Sequence, residues 1–322
     1  MTRGPSIRQK GRSLGAAGSS AVCVCVPARN EAQRLPVLLE ALASHGLRSP
    51  AKVLVSVNNS EDGSRRVLQD AARDYSASLD LRIDETVFSP ELAHAGSARR
   101  RAMDLGLALL GGRGVLLTTD ADTRPPPDWI AANLEAIASG ADMVGGALFL
   151  DDTEALPAEA AALKSLWDTY WAAVRQIEDQ HDPRPEDPAP RHGDHTGASL
   201  AITCTLYRRV GGVPVLATGE DRALVRAGLA AGGKLSHPPN VWTRVSPRRD
   251  GRAAAGMAED MATLMATAAS GELAWAPGLP HWRERALWRR RVREALGVAE
   301  MLRLEDALPP MPMDMSLSDV RA

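Results

Sequence analysis

Between residues 21 and 144, short apolar runs alternate with longer amphipathic ones. The runs at 21–26, 53–57, 79–83 and 115–118 have the length and continuity of buried strands, while 31–44, 64–75 and 97–110 repeat apolar residues at helical spacing. A β-α-β-α order predicts an α/β fold, Rossmann-like, with a mainly parallel sheet flanked by helices. Ligands in such sheets sit beyond the carboxyl ends of the strands. Residues 27–31, 58–64 and the pair Asp120 and Asp122 all follow predicted strand ends, so this fold gathers them along one edge.

Further along, Leu163, Leu166, Trp167, Tyr170, Val174 and Ile177 predict a helix over 157–180 with a core-facing or groove-facing stripe. The stretch 182–190 alternates proline with charge, which predicts an exposed mobile loop able to act as a lid. A strand is expected over 198–206, a helix over 221–231, and an amphipathic terminal helix over 283–302 with Trp288, Val292, Leu296 and Ala299 on one face. No internal repeat is visible.

Length and composition refine this layout. The 322 residues accommodate one large α/β domain over 21–252, with a helical insertion and Pro-rich loop at 151–194, a helical extension over 253–322, and a disordered tail over 1–20. A net charge of -2 argues against a protein that coats nucleic acid. Cys23, Cys25 and Cys204 show neither metal-ligand spacing nor an even disulfide count, as expected of buried thiols in a reducing cytoplasm. No apolar run approaches the roughly 18 residues of a membrane span, and the first 20 residues lack the apolar stretch of a signal peptide. A cytoplasmic protein is expected. Arg283, Arg285, Arg289, Arg290, Arg291 and Arg293 crowd a segment with Trp282 and Trp288, so 282–302 is a candidate peripheral contact with the inner face of the membrane. Packing of its Trp face on the main domain is the competing and preferred reading.

Candidate chemistry begins at Asp120-Ala121-Asp122. Residues i and i+2 on extended backbone point the same way, and hard carboxylate oxygens suit Mg²⁺ or Mn²⁺. Asp-x-Asp is common in surface turns, so the neighbours must carry the argument. Arg99, Arg100 and Arg101 fall in the first turn of a helix expected to be capped by Ser97, where the helix dipole disfavours cations by a few tenths of a kcal/mol. A bound diphosphate reverses that cost; three solvated arginines are the alternative. Thr218-Gly219-Glu220-Asp221 reads either as a capping box or as a source of a general base, and Asn30-Glu31 either as a helix start or as a binding turn. His192 and Asp194 hint at a second metal site, but no further ligand is spaced to complete it.

Five segments in order resemble the GT-A glycosyltransferases of family 2: residues 26–31 (Val-Pro-Ala-Arg-Asn-Glu), 58–64 (Asn-Asn-Ser-Glu-Asp-Gly-Ser), 96–99 (Gly-Ser-Ala-Arg), Asp120-Ala121-Asp122 and Gly219-Glu220-Asp221. The resemblance implies that Pro27, Ala28 and Arg29 form the turn beneath the donor nucleotide and that Glu31 reaches its base or ribose. Relatives carry an aspartate where this chain has Asn58; an amide both donates and accepts, so the base it reads is left open. Asp62 belongs to the same nucleotide-side segment. By resemblance Arg99 meets the diphosphate, Asp122 ligates a divalent cation (Mn²⁺ or Mg²⁺), and Asp120 holds the ribose or the cation through water. Asp221, ahead of Glu220, takes the catalytic base position. His195, Thr196 and Gly197 lie on the acceptor side, and the basic loop 246–252 that follows the domain is expected either to fold over the phosphates or to serve as a linker. Relatives often have a third, histidine ligand; His237 lies in the right part of the chain without being assignable to it. The implied activity is metal-dependent, inverting transfer from a UDP- or GDP-sugar to an acceptor hydroxyl, with the acceptor unknown. A sugar-phosphate nucleotidyltransferase, or a non-catalytic membrane-surface or partner-binding member of the fold, are the alternatives.

Overall fold

The structure, a computed structural model, describes residues 21–249, 251 and 256–320. The expected tail at 1–20 and the expected boundary at 252 and 253 lie outside the described residues. In chain order the elements are β1 (Val22–Ala28), α1 (Leu35–Ala43), β2 (Ala51–Asn58), α2 (Ser64–Asp74), β3 (Leu79–Thr86), α3 (Ala95–Leu109), β4 (Val115–Thr118), β5 (Thr123–Arg124), α4 (Trp129–Ala138), β6 (Met143–Gly145) and β7 (Ala147–Leu150). There follow α5 (Ala158–His181), β8 (Leu200–Thr203), α6 (Cys204–Arg209), α7 (Glu220–Ala230), β9 (Leu235–Ser236), β10 (Trp242–Val245), α8 (Met257–Ser270), β11 (Trp275–Ala276), α9 (Leu279–Leu296), α10 (Val298–Asp306) and β12 (Met315–Ser316).

The main sheet has the order β3-β2-β1-β4-β8-β6-β9. β1 runs parallel to β2 and β4, with Val24 opposite Val53 on one side and Leu117 on the other, and only β8 opposes its neighbours. β1 can be a continuous apolar run because both its faces are covered. Val24 and Val26 pack into one cluster with Leu35, Leu38, Leu39, Leu42, Trp129 and Ile130, whereas Cys23 and Cys25 face a second cluster with Met103, Leu116, Tyr207 and Leu224. The alternate residues of one strand thus root the helices of both layers. All three cysteines are free and buried. A smaller sheet, β5-β10-β7, closes the carboxyl edge beside the site.

Several expectations are corrected. The segment 198–206 is half strand: β8 stops at Thr203, whose hydroxyl accepts from the Leu206 N–H and starts α6. The terminal helix is broken at Gly297 (φ 84°) into α9 and α10. α1 begins only at Leu35, so Asn30 is no helix cap; it sits at φ 51°, with Glu31 in the turn before the helix. Ser97 does not cap α3 either, because His94 does so through Nδ1, which accepts from the Ser97 N–H.

The Pro-rich loop leaves its prolines exposed, as expected, but is pinned down through two of its acids. Asp182 and Asp187 are buried, each with its own cation: Asp182 accepts from Arg293, and Asp187 is met by His237 and Arg191. Charge did not exclude burial here because each carboxylate is paired. The face of α9 toward α5 is likewise spent internally. Arg289 donates to Glu178 at 2.8 Å and Glu305 at 2.6 Å, and the Trp282 indole N–H donates to the Tyr170 hydroxyl at 2.6 Å. Among the described residues, no helix is long and apolar enough to cross a membrane.

Candidate active site

Arg99 lies at the centre of the carboxyl edge and is only 4% exposed. Its Nε donates to Glu220 at 3.0 Å, Nη1 to the Thr118 hydroxyl at 2.8 Å and the Gly197 carbonyl at 3.0 Å, and Nη2 to Asp120 at 2.8 Å. Burial opposes its charge, but Asp120, Glu220 and Asp221 together hold it firmly protonated. Gly197 permits this packing, since a Cβ there would stand 2.2 Å from the guanidinium carbon. The arginine read from the sequence as a diphosphate ligand therefore ties the site's acids to its floor. Its neighbours are also occupied: Arg100 donates to the Val213 carbonyl at 2.9 Å, and Arg101 grips Asp84 with two bonds at 2.6 and 2.7 Å.

Glu220 and Asp221 open α7 and diverge. Gly219 precedes them at φ 72° with no side-chain cap, so the expected capping box is not formed. Glu220 is buried on Arg99, while Asp221 accepts the Gly197 N–H at 2.7 Å and the Arg222 N–H at 2.6 Å. One residue, Gly197, thus fixes Asp221 through its amide and Arg99 through its carbonyl.

The nucleotide-side segments are knitted together. The Asn58 amide donates to the Ala28 carbonyl at 3.0 Å, the Asn30 N–H donates to Ser60, and the Glu61 N–H donates to the Asn30 side chain. Asp62 accepts from the Ala32 N–H and from the Ser64 N–H, both at 2.9 Å. Asn58 and Asp62 therefore shape the turn, and Arg29 is anchored on the Ala93 carbonyl at 3.0 Å. Pro27 and Ala28 are the last residues of β1, paired with Ser56 and Val57. Above them a cavity of about 520 Å³ is lined by Asn30, Glu31, Arg34, Glu61, Asp62 and Arg248.

Asp120 and Asp122 do not share an extended backbone as the i, i+2 argument assumes. β4 ends at Thr118 and the pair lies in the turn leading to β5. Asp120 faces Arg99 and keeps a side chain 39% exposed, while Asp122 meets Arg248 Nε at 2.9 Å. The same guanidinium holds Glu31 with two bonds of 2.8 and 2.9 Å. Burial, with the neighbouring charges of Asp120 and Glu31, pushes the Asp122 carboxyl up to about 6 even though Arg248 pulls the other way. Among the described residues, no three His, Cys, Asp or Glu side chains stand together as a complete ion site. Asp120, Asp122 and Glu31 each already meet an arginine, so a divalent ion would have to replace those contacts and draw its remaining ligands from a substrate.

Around the 195–197 turn, the histidines form a chain, with His237 buried and His192 and His195 half-buried, rather than a metal site. Asp187 accepts from the backbone N–H of His237 at 2.6 Å and meets its Nδ1 at 2.7 Å; His237 Nε2 lies 3.3 Å from His195 Nδ1, and the His192 ring packs edge-on to His237 at 5.4 Å. Asp194 spends its carboxylate on the Leu148 N–H. Burial, reinforced by His237, drives both His192 and His195 down to about 4. His237 is thus committed to Asp187 and His195, and Thr196 Oγ1 is buried with no hydrogen-bond partner.

The fold therefore brings together Glu31, Arg99, Asp120, Asp122, Glu220, Asp221 and the 195–197 turn; Asn58 is buried beneath them, and Asp62 lines the adjoining cavity. Sequence reasoning placed neither Thr118 nor Asp187 in the site, and reached Arg248 only as one residue of a basic loop that either folds over the phosphates or serves as a linker. Arg248 lies 217 residues from Glu31, and only its membership of a basic loop set it apart.

The family model described as glycosyl transferase family 2 matches residues 23–181. Among solved structures, the chain is similar to the mannosyltransferase PcManGT from Pyrobaculum calidifontis, in complex with GDP-Man and Mn²⁺, at 18% identity and a TM-score of 0.52 over 89% of this chain and 80% of that one. It is also similar to residues 1–349 of TarS from S. aureus, in complex with UDP-GlcNAc, at 16% identity and a TM-score of 0.52 over 89% of this chain and 77% of that one. At such identities the likeness speaks for the fold. No curated protein sequence matches the chain. The family match, the mainly parallel sheet with helices on both faces and the acids gathered at its carboxyl edge agree, and the chain carries a family 2 glycosyltransferase domain of the GT-A fold.

Proposed function

We propose that the chain transfers a sugar from a nucleotide-diphospho-sugar to an acceptor hydroxyl in one inverting displacement, with Asp221 as general base. The observation that carries this is the double use of Gly197, which sets the Asp221 carboxylate on the same frame as Arg99, Asp120 and Glu220. With Glu220 buried against Arg99, Asp221 is the acid left to face an acceptor. The acceptor oxygen attacks the anomeric carbon, its proton passes to Asp221, and the bond to the phosphate oxygen breaks with its electron pair leaving on the nucleoside diphosphate. The 520 Å³ cavity beside Glu31 is of a size to take the nucleoside. Asp122 and Asp120 would hold a divalent cation, Mn²⁺ or Mg²⁺, whose chemistry is to stabilise the negative charge growing on the diphosphate. The UDP- and GDP-sugars bound by the structural neighbours make those two donors the first to test.

A thermal-shift panel of UDP, GDP, CDP and dTDP, each with Mn²⁺ and with EDTA, tests the donor site. One nucleotide should stabilise the protein only with metal, and Asp122→Ala should remove that shift. Asp221→Asn should keep the shift while lowering kcat by about 100-fold or more, as loss of a general base does. A larger loss in Glu220→Gln reverses the two roles. Release of pyrophosphate from a nucleoside triphosphate identifies a nucleotidyltransferase instead.

A further inference from the structure

The Arg248 guanidinium stands where Glu31 and Asp122 converge, making one contact of 2.9 Å to Asp122 and two of 2.8 and 2.9 Å to Glu31. Both carboxylates are largely shielded from water, and among the described residues Arg248 meets both. The two acids are those assigned above to different ligands of one donor: Asp122 to the metal and Glu31 to the nucleoside. The same side chain lines two cavities. One is the 520 Å³ space beside Glu31, and the other, of about 1110 Å³, lies toward the start of α5 and toward α8, where Pro247, Arg249 and Met265 line it. The main chain at Arg248 is held by its N–H, which donates to Ser246 Oγ at 3.3 Å, and Ser246 in turn donates to Glu154 at 3.2 Å. The side chain thus stands between the two cavities on a main chain that is itself held.

We propose that Arg248 is a built-in counter-cation of the donor site, holding Glu31 and Asp122 in the ligand-free protein so that metal and nucleoside diphosphate enter only as a pair, by displacing it. The inference rests on the donor-site reading of Glu31 and Asp122. A divalent cation arriving alone must break the Arg248 contacts and then face a guanidinium a few ångströms away, and like charges at that distance repel strongly in a shielded site. A nucleoside diphosphate arriving with the cation removes both penalties, because its phosphate oxygens give the displaced guanidinium anionic partners. Metal and nucleotide thereby each tighten the other's binding, with Arg248 as the coupling element.

Equilibrium dialysis of Mn²⁺, with and without saturating UDP or GDP on both sides of the membrane, reads the excess Mn²⁺ on the protein side, tests this directly and needs no turnover. Wild type should bind Mn²⁺ weakly alone and about tenfold or more tightly with the fitting nucleotide. Arg248→Gln should bind Mn²⁺ alone about tenfold more tightly than wild type, with a correspondingly smaller gain from nucleotide. Arg248→Lys, which keeps the charge and loses the paired contacts, should fall between and guards against a folding defect in the glutamine variant. If wild type shows nucleotide-dependent Mn²⁺ uptake but neither variant gains affinity for Mn²⁺ alone, the counter-cation is overturned and the donor site stands. If no nucleotide promotes Mn²⁺ uptake in any form, the donor-site reading falls and the counter-cation with it.

Discussion

Arg99 was legible in the sequence as an important arginine, but its task was not. Motif order placed it near a diphosphate; the structure gives four of its hydrogen bonds to Glu220, Thr118, Gly197 and Asp120, groups separated by up to 121 positions. Only the closed sheet edge reveals that sharing, since β4 and the α7 start meet there. Such a residue is expected to matter for stability first. Arg99→Met should cost about 3–5 kcal/mol in urea unfolding, because it leaves the buried Glu220 carboxylate without its cation. Arg99→Lys should recover only part, since a single ammonium cannot reproduce the planar fork. The acids at the end of β4 show the same limit of sequence reading. That Asp120 and Asp122 would be neighbours in a site was readable from the run before them; that they would turn toward different arginines depends on a tight turn after Thr118, which apolar pattern does not encode.

At the scale of elements, the strongly periodic segments appeared within a few residues of expectation, and the misses have local causes. A single hydroxyl at Thr203 ends β8 and starts α6, and one glycine at φ 84° divides α9 from α10. Neither signal stands out in a continuous apolar or amphipathic run. The seating of α3 on β1 was also invisible, because it is set by a glycine in mid-helix. A Cβ at Gly106 would lie 2.5 Å from Cys25 Sγ and 3.2 Å from Leu116. Gly106→Ala gains helix propensity worth about 1 kcal/mol but overpacks this seam at a cost of about 1–3 kcal/mol, so a net loss is expected in chemical denaturation. Cys25→Ala in the same background should recover part of it by making room.

For the whole molecule, the histidines set a pH dependence with a definite sign. His192 and His195 are held down to about 4, against an ordinary 6.5, so below 6.5 the unfolded chain takes up protons that the folded one refuses. Their contribution to stability is present above about 6.5 and lost as pH falls toward 4. Asp122, raised to about 6, works in the opposite direction over part of that range, one group against these two and His45, which burial also holds below its ordinary value. A fall in Tm from pH 6.5 to 4.5 is therefore expected, and His195→Gln should flatten it; an unchanged slope would remove His195 from the account.

The C-terminal helices have been described as an extension, yet they reach α7. Arg226, six positions after Glu220 on the same helix, donates to the Leu302 carbonyl at 3.0 Å and pairs with Asp306 at 2.6 Å. Arg226 is five helical residues, about 7.5 Å, beyond Asp221, so the far anchor and the proposed base belong to one short rod. For anyone dissecting the protein this settles where to cut. A fragment ended before α9 would strip Asp182 of Arg293 and Glu178 of Arg289, take the indole from Tyr170 and remove the far anchor of the rod that carries Asp221, so low activity in it would report a truncation artefact rather than the catalytic power of the domain.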